Sequence, residues 1–451
     1  MSEMRKVLIL AYYFPPQGGS GTLRVAKFCK YLQEYGWEPV VITTSFISHY
    51  DWGLLHDLNK NLEIYRTYDL YLTLSRLGII KIFGRSSSNL NNIQKISTSS
   101  ELISVIKRLL ISGIKPSIQN IINLEVNVRS WRFSAYHKAC SVIEQGKINA
   151  IFTTSPPHLL QSVGYRLAKR YPHLPWIMDL RDLWSQSHLI VGTSSYNKTY
   201  LQEQEYLRSA DKTLVVTEGI RRLTLKKFPE LREDKVFTLT NGYDVDDFRD
   251  IKVKFINKKF TLTFIGSWYK ARSENSFISA LYQLATNSNF LQRIQFRFVG
   301  NISADIQKQL APLADTGFIV FRPQVTHREA LSEVLNADVV ILIESNLFEL
   351  KLNHSNKLFE YLGSGKPILA IAPIDGEAAQ LIRQERAGIV VDPDNPNEIC
   401  YGIVDLFNRF EHNPHRDIVL GTYPNYNRKN LTRELANILD EVCAQKILDR
   451  E

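Results

Sequence analysis

Lys357 and Glu360 stand three residues apart in the run His354-Ser355-Asn356-Lys357-Leu358-Phe359-Glu360-Tyr361-Leu362, which closes at Gly363-Ser364-Gly365-Lys366-Pro367. The apolar spacing predicts a helix that opens near Ser355 and stops at the glycines. The first turn of such a helix offers unbonded N–H groups around residues 355–358. With the Lys357 cation beside them, they make a place for a diphosphate. Glu360 projects from the same face as Lys357 and suits the hydroxyls of a ribose or a sugar. Taken singly, Lys357 reads as a solvated helix lysine and Glu360 as its i,i+3 partner. Position at the ends of matching strands in a cleft is what favours chemistry.

Other clusters have the same strand-then-loop placement. Gly18-Gly19-Ser20-Gly21 precedes Val25, Phe28, Cys29 and Leu32 at helical spacing, so backbone N–H groups there can approach an anion, or simply form a tight turn. A dinucleotide fingerprint needs glycine where Arg24 stands, and the next strand (residues 39–44) carries no acid for a ribose. NAD and FAD are thereby disfavoured. Gly365-Lys366 is followed by Pro367, so there is no Walker loop. Thr154-Ser155-Pro156-Pro157-His158 ends a strand and starts a helix, which puts His158 at the ligand edge of the sheet; site residue and structural histidine are both open. Asp179, Arg181 and Asp182 lie between Trp176 and Trp184 after another strand. They read as an Asp–Arg network lining a polar cleft, or as a structural salt bridge. Phe264-Ile265-Gly266-Ser267 ends a further strand, with Lys270 and Arg272 close behind.

The elements that must position these residues follow from the pattern. The chain has 451 residues, 44% of them apolar and 22% charged, about three typical domain lengths of ordinary globular composition. No apolar run reaches membrane-spanning length. The N-terminal MSEMRKVLIL passes straight into a strand pattern and does not read as a secretory signal. Four scattered cysteines without metal spacing fit reduced thiols in the cytoplasm. Strand and helix alternate from residue 6, resume at 148 and start afresh at 260, after a charged stretch at 249–259. The fold class is therefore α/β, with two Rossmann-like, doubly wound domains facing a central cleft. The expected divisions are 1–248, 249–425 and a terminal helix, 426–451, returning to the first domain. Residues 66–138 interrupt the alternation. They hold eleven Lys/Arg against three acids and an amphipathic stretch at 101–122, which fit an anionic surface or a solvated insertion equally. No nucleic-acid motif is present.

Taken together, FPPQGGSGTLRVAKFCKYLQEYGWEPVVIT, FTTSPPH, WIMDLRDLW, LTNGYDVDDF, FIGSWYKAR, ADVVILI, SNKLFEYLGSGKPILAI and AGIVVDPDNP resemble the retaining GT-B glycosyltransferases of the family-4 type, near a bacterial polysaccharide subgroup acting on lipid-linked acceptors. The resemblance implies a hexosyltransferase that takes a nucleotide-sugar donor (UDP before GDP) and a saccharide or polyprenyl-linked acceptor, with no metal and no other cofactor. It implies donor contacts from Gly19, Gly266, Ser267, Arg272, Val325, Ser355, Asn356, Lys357, Leu358 and Glu360. His158 and Asp182 would lie beside the transferred sugar, with Asp179 and Arg181 in the cleft network. The family often has two glutamates eight positions apart; counting back from Glu360 reaches Leu352, with Glu344 and Glu349 out of register. The implied location is cytoplasmic, peripheral on the inner face of the plasma membrane. The alternatives are a GT-B-fold UDP-sugar epimerase and a catalytically degenerate scaffold subunit.

Overall fold

Strand β1 (Arg5–Ala11) is buried from Val7 onward, as expected of a parallel strand with helices on both faces. In the computed structural model, which describes residues 4–45, 51, 53–68, 119–187, 189–251, 259–268, 274–346, 348–412 and 419–449, β1 is an interior strand of a first sheet. Around it lie β2 (Trp37–Thr44), β3 (Glu63–Thr67), β4 (Ile148–Ser155), β5 (Trp176–Leu180), β6 (Lys212–Val215) and β7 (Val236–Thr238), in the order β3-β2-β1-β4-β5-β6-β7. The second sheet holds β8 (Phe260–Ile265), β9 (Ile294–Val299), β10 (Ile319–Arg322), β11 (Val339–Ile343), β12 (Ile368–Ile371) and β13 (Gly388–Val391), in the order β10-β9-β8-β11-β12-β13. All pairings are parallel. In each sheet the order reverses once, between β1 and β4 and between β8 and β11. Ligands bind in the crevice that such a reversal opens at the strands' C-terminal ends. The expected doubly wound pair is thus present, and the loops singled out above leave these central strands.

Each sheet carries an apolar cluster on both faces. On one face of the first sheet, Leu8, Leu10, Trp131, Trp176 and Met178 pack together. On the other, Ile9, Phe28, Trp37 and Phe152 meet Leu431, Leu435, Ile438 and Leu439. Those last four belong to the helix Arg428–Leu448, so the C-terminal helix does return to the first lobe. The two chain crossings between lobes lie side by side. Tyr243 N donates to the Tyr426 carbonyl (2.9 Å), and Arg428 N donates to the Tyr243 carbonyl (2.7 Å). A Cβ on Gly242 would stand 2.2 Å from the Tyr426 oxygen, so only glycine allows this approach. The basic insertion is described only at residues 66–68 and from 119, where the helix Gln119–Gln145 begins. Its amphipathic stretch up to residue 118, Lys270, Arg272 and residues 252–258 of the linker lie outside the described residues.

Candidate functional site

On the second lobe the site starts where β8 runs out. Gly266 has φ +130°, and a Cβ there would stand 2.1 Å from Lys357 Nζ. The absence of a side chain is what lets the ammonium rest on the strand end, 5.3 Å from the centroid of Phe264. Gly300 (φ +128°), at the end of neighbouring β9, closes on the Gly266 carbonyl in the same way. Lys357 lies in the first turn of the helix Asn356–Ser364, which opens at Ser355 in extended conformation and ends at Gly365 with left-handed φ. No side chain caps this helix, and Ser355 Oγ is buried without a hydrogen-bond partner among the described residues. A buried hydroxyl at a helix start that no side chain caps fits an anionic ligand. Asn356 and Lys357 are the first two residues of this helix, Leu358 is buried in the core, Ser267 is exposed and Val325 is half-buried in the loop after β10.

Glu360, one turn along, meets His327 Nε2 at 2.9 Å. Burial works to lower the His327 pKa, but the bond and charge of Glu360, with Asp247 in support, carry it up to about 9. The carboxylate expected to hold a ribose is therefore already gripped by an imidazolium.

On the first lobe, the loops after β1, β4 and β5 converge. Gly19 (φ +105°) precedes the helix Ser20–Tyr31, with nothing within 4 Å of a would-be Cβ, so the start of this helix is open to approach. His158 opens a 3-10 turn (His158–Leu160) ahead of the helix Gln161–Arg170. Its Nδ1 lies 3.1 Å from Ser155 Oγ, and its ring stacks on Trp184 at 5.4 Å and 13°. Burial and then the Arg181 charge push its pKa down to about 3, against a backbone hydrogen bond to Leu183. His158 is thus a neutral, oriented ring. Asp182 is raised above the ordinary carboxylate range by burial, opposed by the Arg181 charge and by the Asn353 amide, which donates to Oδ1 at 2.7 Å.

Asp179 and Arg181 form a network, but not with each other. Asp179 is fully buried and bidentate with Arg24 (Nη2–Oδ1 2.9 Å, Nε–Oδ2 3.2 Å), and it accepts from Thr154 Oγ1 at 2.6 Å. Arg181 clamps the carbonyls of Gly21 (2.5 Å), Ser155 (3.0 Å) and Pro156 (3.1 Å). Both hold the site's loops together rather than lining an open cleft. The physical reason is Arg24, whose guanidinium is the fixed two-pronged donor that a buried carboxylate needs. At sequence level Arg24 reads only as a missing glycine.

Between the lobes Lys27 Nζ sits among Asp57 (2.6 Å), Asp244 (2.8 Å) and Asp247. Those three carboxylates converge closely enough to hold a cation, and the cation at their centre is this ammonium. Asp244 also takes Lys30 (2.8 Å) and Tyr31 Oη (2.7 Å). Sequence reasoning missed Lys27, His327 and Asn353. The acidic run 244–247 was a signal for Lys27, whereas the His327–Glu360 and Asn353–Asp182 pairs join distant segments with no local pattern.

Residues 259–409 match the family described as glycosyl transferases group 1. No curated protein matches the chain. Sucrose-phosphate synthase from Thermosynechococcus elongatus is similar in structure over 98% of this chain and 97% of its own, with TM-score 0.55 and 14% identity. Anabaena HepE in complex with UDP gives 99% and 100%, TM-score 0.53 and 12% identity. A trehalose-6-phosphate protein from E. coli bound with UDP-2-fluoro glucose gives 98% and 98%, TM-score 0.57 and 9% identity. At these identities the likeness is one of fold: the chain has the two-domain GT-B fold. Its second lobe carries the segment that matches group 1 glycosyl transferases. Among the described residues, no helix is long and apolar enough to cross a membrane.

Proposed function

We propose that this chain transfers a hexosyl group from a nucleoside diphosphate sugar, UDP-linked, to a saccharide or polyprenyl-linked acceptor in bacterial surface polysaccharide synthesis, with retention at the anomeric carbon. The observation that carries this reading is the Lys357 ammonium seated against Gly266 at the uncapped start of the helix Asn356–Ser364. It is supported by the UDP held by Anabaena HepE and the UDP-2-fluoro glucose held by the E. coli protein. Cleaving the bond from anomeric carbon to phosphate builds positive charge on the sugar and negative charge on the leaving diphosphate. Lys357, the N–H groups of residues 355–358 and Arg272 meet that negative charge as it grows, which lowers the barrier electrostatically. Arg272 enters by resemblance alone. Gly19 lets the first lobe close over the phosphates, Ser267 lies beside them, Val325 flanks the base and Glu360 receives the ribose. The acceptor hydroxyl attacks from the leaving-group face, and its proton passes to the departing phosphate oxygen. The neutral His158 ring and Asp182 orient sugar and acceptor. The protein's own cations do this work, with no metal assigned.

A panel of nucleotide sugars screened by thermal shift identifies the donor, and Lys357→Ala then tests the site. The variant is expected to keep its far-UV CD spectrum and lose transfer by about 10²–10³-fold, the scale of one electrostatic stabiliser. Wild-type turnover in that variant would refute the assignment. Product analysis with donor alone separates transfer from epimerisation, and no donor binding at all would mark a scaffold. The charge of residues 66–138 supports a peripheral position on an anionic cytoplasmic membrane face. Co-sedimentation with liposomes should then require anionic lipid.

A further inference from the structure

The departure at Leu352 has a use in the tertiary structure. Leu352 belongs to the second lobe, yet its side chain packs against the core of the first. Its carbonyl accepts from Thr217 Oγ1 at 2.5 Å. Asn353 follows, donating Nδ2 to Asp182 Oδ1 at 2.7 Å and to the Arg181 carbonyl at 3.3 Å, while its Oδ1 accepts from His354 N at 2.8 Å. With its carbonyl end taken by a backbone N–H, the amide has only one orientation, and its NH2 faces the carboxylate. Farther along the same interface, Arg222 meets Glu377 at 3.1 Å. Residues 352–353 therefore cross the cleft, and they lie just two positions ahead of Ser355, where the Lys357 helix opens.

We propose that Asn353 is a positioning residue for Asp182, supplied by the donor lobe to the acceptor lobe. This rests on the transferase reading above. The amide holds the carboxylate in one place from the opposite lobe, so its effect falls on the acceptor side of the reaction and not on donor binding. Among the described residues, the groups that act on Asp182 are Arg181, which precedes it on the same loop, and Asn353, its hydrogen-bond donor from the second lobe; His158 on the neighbouring loop is neutral. An N–H donor favours the ionised form, so removing it raises the carboxyl pKa further.

The test measures kcat, donor KM and the pH profile of transfer for wild type, Asn353→Ala and Arg222→Ala, with donor affinity by thermal shift. In Asn353→Ala, kcat should fall at least about tenfold, donor affinity should stay within about twofold, and the acidic limb of kcat should move up by about one pH unit, the scale of one hydrogen bond to a charge. Asp182→Asn should abolish that limb. Arg222→Ala removes a cross-cleft ion pair that does not touch Asp182, and should leave the limb in place. If the alanine variant fails to fold, the isosteric Asn353→Asp faces Asp182 with a like charge and should move the limb further the same way. Normal donor binding with an unmoved limb overturns the role of Asn353 alone, whether or not the rate falls. A wild-type protein that binds no nucleotide sugar overturns the transferase reading, and this inference with it.

Discussion

Gly266 and Lys357 illustrate how single residues set this site. The ammonium occupies the space a Cβ would need, and the backbone of Gly266 is in a region that L side chains rarely adopt. Gly266→Ala is therefore expected to displace Lys357 and cut turnover at least about tenfold, in the direction of Lys357→Ala. Steady-state kinetics checks this, with far-UV CD to confirm the fold. His158 gives a second residue-scale test. A group held near 3 by burial and by Arg181 stays neutral through the working range. Its imidazole resonances should show no titration from pH 8 down to about 5, and no limb of the rate profile in that range should disappear in His158→Gln. An imidazole titrating near 6.5 would contradict the burial described.

At the scale of elements, the helix Arg428–Leu448 belongs to the first lobe by packing although it follows the second in sequence. Leu439 is fully buried and Leu435 nearly so, against Phe28, Ile9 and Phe152. Leu439→Ala removes a large buried side chain and is expected to cost about 2–5 kcal/mol. Urea denaturation followed by tryptophan fluorescence should show the loss in the transition of the first lobe, which holds Trp37 and Trp176. Loss confined to the second lobe would mean that the helix had been assigned to the wrong core. The alternation of strand and helix was legible because a parallel strand buried on both faces leaves a continuous apolar run, as at residues 7–11. The helix start at His158 was legible from the prolines before it, but not the 3-10 form of its first turn, His158–Leu160, since three residues give no period to read.

At the scale of the molecule, the two lobes are joined through a string of charges. Glu360 and His327 stand on the second lobe, Asp247 and Asp244 on the crossing between lobes, and Lys27 on the first. The His327 pKa is near 9 in the folded protein against an ordinary 6.5. A raised value of this kind stabilises the fold fully below about pH 6.5, and the contribution is lost as pH rises through 9. The gap in Tm between wild type and His327→Gln should therefore be widest at pH 6 and shrink as pH rises to 10. A gap that does not change with pH would show that the imidazolium is not what holds Glu360.

The amino-acid sequence by itself determined the two α/β lobes, the glycines at strand ends and the helix that bears Lys357 and Glu360. These are written in local periodicity and in residue types, which act over a few positions of chain. It marked Asp179, Arg181 and Asp182 as a charged cluster without saying which would pair with which. Tertiary structure alone decided that Arg24 takes Asp179, that Lys27 fills the pocket of three aspartates, that His327 grips Glu360 and that Asn353 reaches across to Asp182. Each of those choices depends on which groups lose water together, and that is settled only when segments far apart in the chain are packed against one another.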